Sequence, residues 1–154
     1  MEKVLVSACL LGEKARYDGG AATSEDPLLV RWMREGRVVS FCPEVAGGLG
    51  TPRPRAQLQG PRVLTDAGDE VTASFTRGAE LARDAAHEHG IRIAILKDGS
   101  PSCGSSYVYD GTFAGRRVGG AGVTTAMLQR EDVRVFNERQ LREAAAYLAE
   151  LEAT

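Results

Sequence analysis

Three largely apolar segments, each followed by a cysteine in its exit loop, constrain this chain more than any other feature. The segments at residues 3–8, 37–41 and 91–96 are β-rich, as strands buried in a parallel sheet are. Cys9, Cys42 and Cys103 follow them. Because ligands bind beyond the carboxyl ends of the strands in open α/β sheets, we expect all three thiols at one edge of one sheet.

Helical patterns alternate with these segments, which predicts a three-layer, Rossmann-like α/β domain with a mainly parallel sheet. We predict helices at residues 24–36, capped by Ser24, and at 76–89, and a final helix capped by Asn137. A last strand is predicted at 133–136. Glycine and proline make residues 45–61 irregular. Weaker patterns predict two short strands within 62–72 around the turn at 66–69, and an edge hairpin near 107–113.

Length and charge exclude several classes of protein. A chain of 154 residues is long enough to bury a core as one domain over residues 1–154. Its net charge of −2 provides no footprint for extended nucleic acid or anionic lipid. The first apolar segment begins at once, without the features of a signal peptide, and no run of about twenty apolar residues follows. An odd number of cysteines in such a chain favours a cytoplasmic protein with free thiols.

Three gathered thiols without a fourth indicate an open metal site. Structural zinc is the weaker alternative, because it normally takes four ligands and neither His87 nor His89 lies in a loop that leads to this edge. A [4Fe-4S] cluster fits better, since three cysteines would leave one iron free for another ligand. The remaining alternative is that the cysteines are buried and act as small apolar side chains.

Polar residues near the cysteines are the candidate catalytic groups. Glu44 stands two residues after Cys42, and we expect Pro43 to keep it out of a helix, so that the carboxyl projects from extended or turn backbone. Ser100 and Ser102 flank a proline just before Cys103, where their hydroxyls could orient a ligand or water. An ordinary surface glutamate and simple turn formation are the alternatives.

Two further loops are ambiguous. After Cys9 the chain carries Arg16, Tyr17 and Asp18, which offer a cation, a phenol and a carboxylate to the site, or form a structural Arg–Asp pair. Residues 115–122 are rich in glycine and lead into a predicted short helix. They lack the P-loop and dinucleotide patterns, so a mobile lid explains them as well as an anion site does.

Motifs along nearly the whole chain resemble those of the domain of unknown function 523 family. They are SACLLG at residues 7–12, RYDG at 16–19, CPE at 42–44, GG at 47–48, TPR at 51–53 and SPSCG at 100–104. Characterised members include bacterial 2-thiouracil desulfidases with a [4Fe-4S] cluster on three cysteines. The resemblance implies that Cys9, Cys42 and Cys103 are the cluster ligands. It favours Glu44 and Ser100 as catalytic partners, with Ser102 and Asp18 as weaker candidates.

The resemblance also implies a reaction. A thiocarbonyl sulfur of a small thiolated nucleobase or nucleoside would bind the open iron, and water activated by Glu44 would replace it. The products would be the carbonyl compound and sulfide, with no flavin or nicotinamide. The alternative is an iron–sulfur protein that carries sulfur or senses redox state without turnover.

Overall fold

The computed structural model describes residues 1–153 and places four strands in one sheet, with two smaller hairpins beside it. The strands are β1 (Val4–Ser7), β2 (Val38–Phe41), β3 (Ala56–Gln59), β4 (Arg62–Thr65), β5 (Ile93–Ile95), β6 (Tyr107–Tyr109), β7 (Arg117–Gly119) and β8 (Arg134–Phe136). The helices are α1 (Pro27–Arg34), α2 (Pro43–Ala46), α3 (Thr72–Glu88), α4 (Val123–Arg130) and α5 (Leu141–Glu152).

The main sheet has the order β2-β1-β5-β8, and all its neighbouring strands are parallel. Ser7 at the end of β1 is level with Phe41 on β2, and Val6 is level with Ile95 on β5. Three adjacent strands therefore end together. The loops that carry the three cysteines leave the sheet at one edge, as expected from the sequence.

Helices cover both faces of this sheet, which confirms the three-layer α/β fold. Val4 and Val6 pack in one buried cluster with α1 and α5, whereas Leu5, between them, packs in the other cluster with α3 and α4. Successive residues of a strand point to opposite faces, so a strand covered on both sides needs apolar residues throughout. Each such side chain contributes about 1.5–3 kcal/mol on burial.

Helix α1 begins at Pro27, and the predicted cap at Ser24 is wrong. Asp26 is the cap: its Oδ1 accepts a hydrogen bond of 2.9 Å from the Leu28 backbone N–H. Pro27 suits the first helical position because the missing N–H would have no partner there. Ser24 forms a small turn before the helix, in which its Oγ accepts from the Asp26 N–H at 3.4 Å.

The predicted cap of the final helix is also wrong. Helix α5 begins at Leu141 after Gln140, with no side-chain cap. Asn137 instead stabilises the turn that leads into the helix, where its Oδ1 accepts from the Arg139 N–H at 2.9 Å.

The two hairpins differ from the prediction. Strand β3 lies in the segment expected to be irregular and pairs antiparallel with β4, while the turn at 66–69 leads only to an isolated bridge between Leu64 and Glu70. Strand β6 pairs with β7, which comes from the glycine-rich stretch. The unpredicted strands, β3 and β7, are too short and too polar to show an apolar pattern.

Among residues 1–153, no helix combines the length and the apolar character needed to cross a membrane.

Candidate metal centre and active site

The three cysteines line one cavity of about 370 Å³ at the carboxyl edge of the sheet. Glu44 and Ser100 line the same cavity, together with Arg53. All three cysteines are free thiols. Three loops that lie far apart in the sequence therefore contribute to the cavity, and the parallel sheet brings them together.

Cys9 lies in a 3-10 turn, Ala8–Leu11, directly after β1. The turn ends at Gly12, whose φ of 95° is in the left-handed region that favours glycine. The Cys9 carbonyl accepts hydrogen bonds from the N–H groups of Gly12, at 3.3 Å, and Ala22, at 3.0 Å. This backbone ties the Cys9 thiol to the end of β1.

Cys42 is the N-cap of helix α2, and Glu44 lies in the first turn of that helix. The prediction that Pro43 would keep Glu44 out of a helix is wrong, because proline is compatible with the first helical position. A Cβ added at Gly78 in α3 would overlap the Pro43 carbonyl, and one at Gly47 would overlap the backbone of α3. The two glycines thus allow α2 to pack directly on α3.

Cys103 and Ser100 share the loop between β5 and β6, residues 96–106, here called the Cys103 loop. The Ser100 Oγ accepts hydrogen bonds from the backbone N–H groups of Ser102, at 3.0 Å, and Cys103, at 2.7 Å. The hydroxyl oxygen is therefore used by the backbone, and the O–H remains available as a donor. Ser100 is placed in the cavity by the same turn that presents the Cys103 thiol.

Ser102 points away from the cavity. Its side chain is fully buried, and its Oγ is 2.8 Å from the Thr124 Oγ1 in α4. It is not among the residues that line the cavity. This contact makes Ser102 part of the packing between the Cys103 loop and α4.

Asp18 is also outside the cavity lining, although Arg16 and Tyr17 belong to it. The Asp18 carboxylate accepts from the Gly20 N–H at 2.9 Å and lies 3.9 Å from an Arg16 nitrogen. Both side chains of this pair are substantially exposed. The structural Arg–Asp pair considered from the sequence is present in the loop.

Glu44 forms a buried ion pair with Arg53. The Arg53 Nε lies 3.2 Å from the Glu44 Oε1, and the two side chains are only 6% and 15% exposed. Arg53 also donates to the Ala15 carbonyl oxygen at 2.9 Å, and the Cys42 thiol contacts that same oxygen at 3.8 Å. Burial raises the pKa of Glu44, whereas the charge and hydrogen bond of Arg53 oppose that increase.

The three thiols have a donor set that fits an iron–sulfur cluster. Burial, with a smaller contribution from Cys42, raises the pKa of Cys9 to about 11. Burial, followed by the nearby Glu44 charge, raises the pKa of Cys103 to about 12, and burial also raises the pKa of Cys42. Buried thiolates next to one another need a strong compensating positive charge, which a bound metal centre supplies.

Within residues 1–153, no three His, Cys, Asp or Glu side chains are arranged to hold a single metal ion. In a [4Fe-4S] cluster each cysteine ligates its own iron, so the thiols need to surround a shared cavity and do not have to converge on one point.

Several residues of the site were not identified from the sequence. Asp98 and Gln57 contribute to the cavity wall, as do Tyr107 and Tyr109. The Gln57 Oε1 accepts from the N–H of Gly111, at 3.0 Å, and of Phe113, at 3.2 Å. The sequence signal for Asp98 is an Asp-Gly pair after a strand, which by itself indicates only a turn.

Comparison with known proteins shows the family of the chain. A model of the 2-thiouracil desulfurase family matches residues 4–140. The chain is 37% identical over 150 residues to the uncharacterized protein YbbK of Bacillus subtilis (strain 168), covering 91% of this chain and 98% of that one. A solved structure described as the [4Fe-4S]-dependent thiouracil desulfidase TudS is 52% identical, with a TM-score of 0.96, and the match covers 97% of this chain and 99% of that chain.

Proposed function

The chain belongs to the 2-thiouracil desulfurase family, and from that premise we propose that it is a [4Fe-4S]-dependent desulfidase of thiolated pyrimidines such as 2-thiouracil. It replaces the thiocarbonyl sulfur by oxygen from water and releases the carbonyl compound and sulfide. The supporting observation is that three free cysteines from three separate loops line one cavity together with Glu44 and Ser100.

Cys9, Cys42 and Cys103 would hold the cluster. When bound, the cluster supplies an open iron that acts as a Lewis acid for the substrate sulfur. The raised pKa values of the three thiols, which disfavour ionisation unless a positive charge compensates it, support this ligand set.

Glu44 acts as the general base in this mechanism. Its buried carboxylate takes a proton from the water that attacks the thiocarbonyl carbon. The Arg53 guanidinium, 3.2 Å away, orients the carboxylate and opposes the rise in its pKa that burial causes. That proton passes to the departing sulfur, and the second proton of the water leaves the oxygen as the carbonyl forms, so that C=O replaces C=S and no electrons are exchanged with a cofactor.

Ser100 acts as a hydrogen-bond donor to the substrate or the attacking water. Two backbone N–H groups hold its oxygen, which leaves the hydroxyl hydrogen for this purpose. For Ser102 and Asp18 only indirect roles are proposed, through the packing of the Cys103 loop and through the Cys9 loop respectively.

The cavity volume of about 370 Å³ suits a small ligand. Because the cluster and the substrate would share this space, we propose a free nucleobase or a nucleoside as the substrate and no extended nucleic acid. Tyr107 and Tyr109 provide aromatic surface for a pyrimidine ring. We further propose that residues 1–154 act as one desulfidase-like domain in the cytoplasm, where reducing conditions keep the three cysteines as thiols.

Turnover by the loaded protein tests this function. The chain is reconstituted anaerobically with iron and sulfide, incubated with 2-thiouracil, and followed by loss of thiocarbonyl absorbance and by sulfide release. We expect one sulfide per carbonyl product, and no activity from Cys42→Ala, which lacks a ligand. A fully formed cluster that releases no sulfide from any thiolated pyrimidine would contradict the proposal and favour a sulfur-carrying or redox-sensing protein.

A further inference from the structure

The Asp98 carboxylate is a buried acid that the reaction does not use. Its side chain has no exposed surface. One oxygen, Oδ1, accepts hydrogen bonds from four backbone N–H groups. The donors are Gly99 and Ser105 at 3.0 Å, Ser106 at 3.1 Å and Tyr107 at 3.3 Å.

The other oxygen, Oδ2, connects the Cys103 loop to the neighbouring strand. It accepts from the Asn137 Nδ2 at 3.2 Å, from the Arg139 Nη2 at 2.7 Å and from the Ser106 hydroxyl. Asn137 and Arg139 follow β8, which pairs with β5. Both oxygens of this carboxylate are thus fully occupied by hydrogen-bond donors of the protein.

The donors to the Asp98 carboxylate come from both ends of the Cys103 loop. Gly99 lies immediately before Ser100, whereas Ser105, Ser106 and Tyr107 follow Cys103. The carboxylate therefore closes the base of the Cys103 loop by binding both of its ends. Charge-assisted hydrogen bonds of this kind are roughly twice as strong as neutral ones, so the closure is stiff.

The far side of the loop is held separately by α4. The Thr125 hydroxyl donates to the Cys103 carbonyl at 2.9 Å, and a Cβ added at Gly122 would overlap the backbone of Ser102. With one side packed on α4 and the base closed by Asp98, the direction of the Ser100 hydroxyl and the Cys103 thiol depends on both attachments.

We propose that Asp98 is a positioning residue of the site: by closing the base of the Cys103 loop, its carboxylate sets how the Ser100 hydroxyl and the Cys103 sulfur meet the cavity. The inference rests on the proposed function, because it treats Ser100 and Cys103 as parts of the desulfidase. The Asp98 carboxylate has no exposed surface, so it acts through the loop and not as a catalytic group. Displacing a catalytic group by about 1 Å costs on the order of 100-fold in rate, so this closure affects turnover without any contact to the reacting atoms.

Asp98→Asn tests the proposal, with Asp110→Asn as the matched control. The asparagine keeps one acceptor oxygen but places an amide opposite Ser106, Asn137 and Arg139. Asp110 accepts hydrogen bonds only within its own exposed turn. Iron and sulfide per chain, the electron paramagnetic resonance spectrum of the reduced cluster, kcat and KM are measured for both variants and the wild type.

We expect Asp98→Asn to bind the wild-type amount of iron, to give a changed resonance spectrum, and to lose at least about tenfold in kcat with little change in KM. The control should match the wild type in every measurement. Wild-type kcat together with a superimposable spectrum would overturn the proposal.

Ser106→Ala covers the case in which Asp98→Asn does not load iron. Ser106 is exposed, so its loss removes a single bond to the carboxylate without creating a cavity. A smaller change in kcat and in the resonance spectrum, in the same direction, supports the proposal, and no change in either refutes it. If the wild type has no desulfidase activity, the proposed function fails, and the spectra of the variants alone decide the role of Asp98.

Discussion

The buried Glu44–Arg53 pair shows how one arginine serves two purposes in this site. The guanidinium compensates the Glu44 charge through Nε, and its other nitrogens donate to the carbonyls of Ala15 and Gly50, at 2.9 and 3.2 Å. Those carbonyls belong to the loop after Cys9 and the loop after Cys42. One side chain thereby orients the Glu44 carboxylate and joins two of the three cysteine loops.

Glu44→Gln separates the chemistry of Glu44 from its place in the structure. Glutamine has the same shape but cannot accept a proton, so we expect turnover to fall by about 10²–10⁴-fold. Iron per chain should stay at the wild-type value. Glu70→Gln, a change to an exposed glutamate, is the control and should keep full activity. Retention of turnover by Glu44→Gln would contradict the assignment of Glu44 as the base.

Arg53→Lys keeps the charge but loses the planar group that reaches several acceptors at once. Since the partly buried Ala15 carbonyl loses its donor, we expect a loss of about 0.5–1.5 kcal/mol in the free energy of unfolding together with a lower kcat. Urea denaturation and steady-state kinetics measure the two effects. The matched control is Arg62→Lys, because Arg62 lies outside the cavity lining, is more than half exposed and pairs with Glu70 on the surface. Equal effects of both substitutions would show that the joining of the loops by Arg53 is unimportant.

For individual residues, the sequence predicted that five side chains share one cavity, and the structure brings all five together. They are Cys9, Cys42, Cys103, Glu44 and Ser100. The sequence did not predict Arg53 as the partner of Glu44. The eight intervening positions contain three glycines and a proline, and no local periodicity indicates which carboxylate Arg53 will meet. Ser102 lies two residues from Ser100 but faces α4, where its Oγ contacts the Thr124 Oγ1.

Among the secondary-structure elements, α2 and the hairpin β3–β4 escaped prediction, whereas the four strands of the main sheet did not. The main strands are buried on both faces and so have continuous apolar runs. Helix α2 has only four residues, and its stability comes from packing on α3 at Gly47 and Gly78. Such a contact between glycines is a tertiary property that neither segment reveals alone.

Gly78→Ala tests the close contact between α2 and α3. In an unconstrained helix this change stabilises by about 1 kcal/mol. Here the added Cβ would overlap the Pro43 carbonyl, so we expect a destabilisation of about 1–3 kcal/mol and poorer cluster retention. Thr76→Ala, at an exposed position of the same helix, serves as the control. Denaturation curves and iron content give the result, and a Gly78→Ala protein that is more stable than the wild type would disprove the contact.

In the whole molecule, the parallel sheet makes one site out of three distant parts of the chain. The ends of β1, β2 and β5 lie side by side, so a group bound by all three thiols would crosslink loops that otherwise meet only through the sheet and a few side chains. A ligand that binds the folded state and not the unfolded chain stabilises the protein by an amount that grows with the logarithm of the ligand concentration divided by Kd.

Removal of the cluster should therefore lower the thermal midpoint of the wild type. The same treatment should leave the thermal midpoint of Cys42→Ala unchanged, because that variant has lost a ligand.

The three thiols also predict a pH dependence of cluster binding. The raised pKa values of Cys9, about 11, and Cys103, about 12, mean that protons must leave when the cluster binds. Binding that releases protons is favoured as pH rises, so we expect reconstitution to be more complete at about pH 8.5 than at about pH 6.5. Iron per chain and calorimetric midpoints of loaded and chelated protein, measured at both pH values, check the prediction. A midpoint that is independent of iron content would show that the three cysteines do not hold a common group.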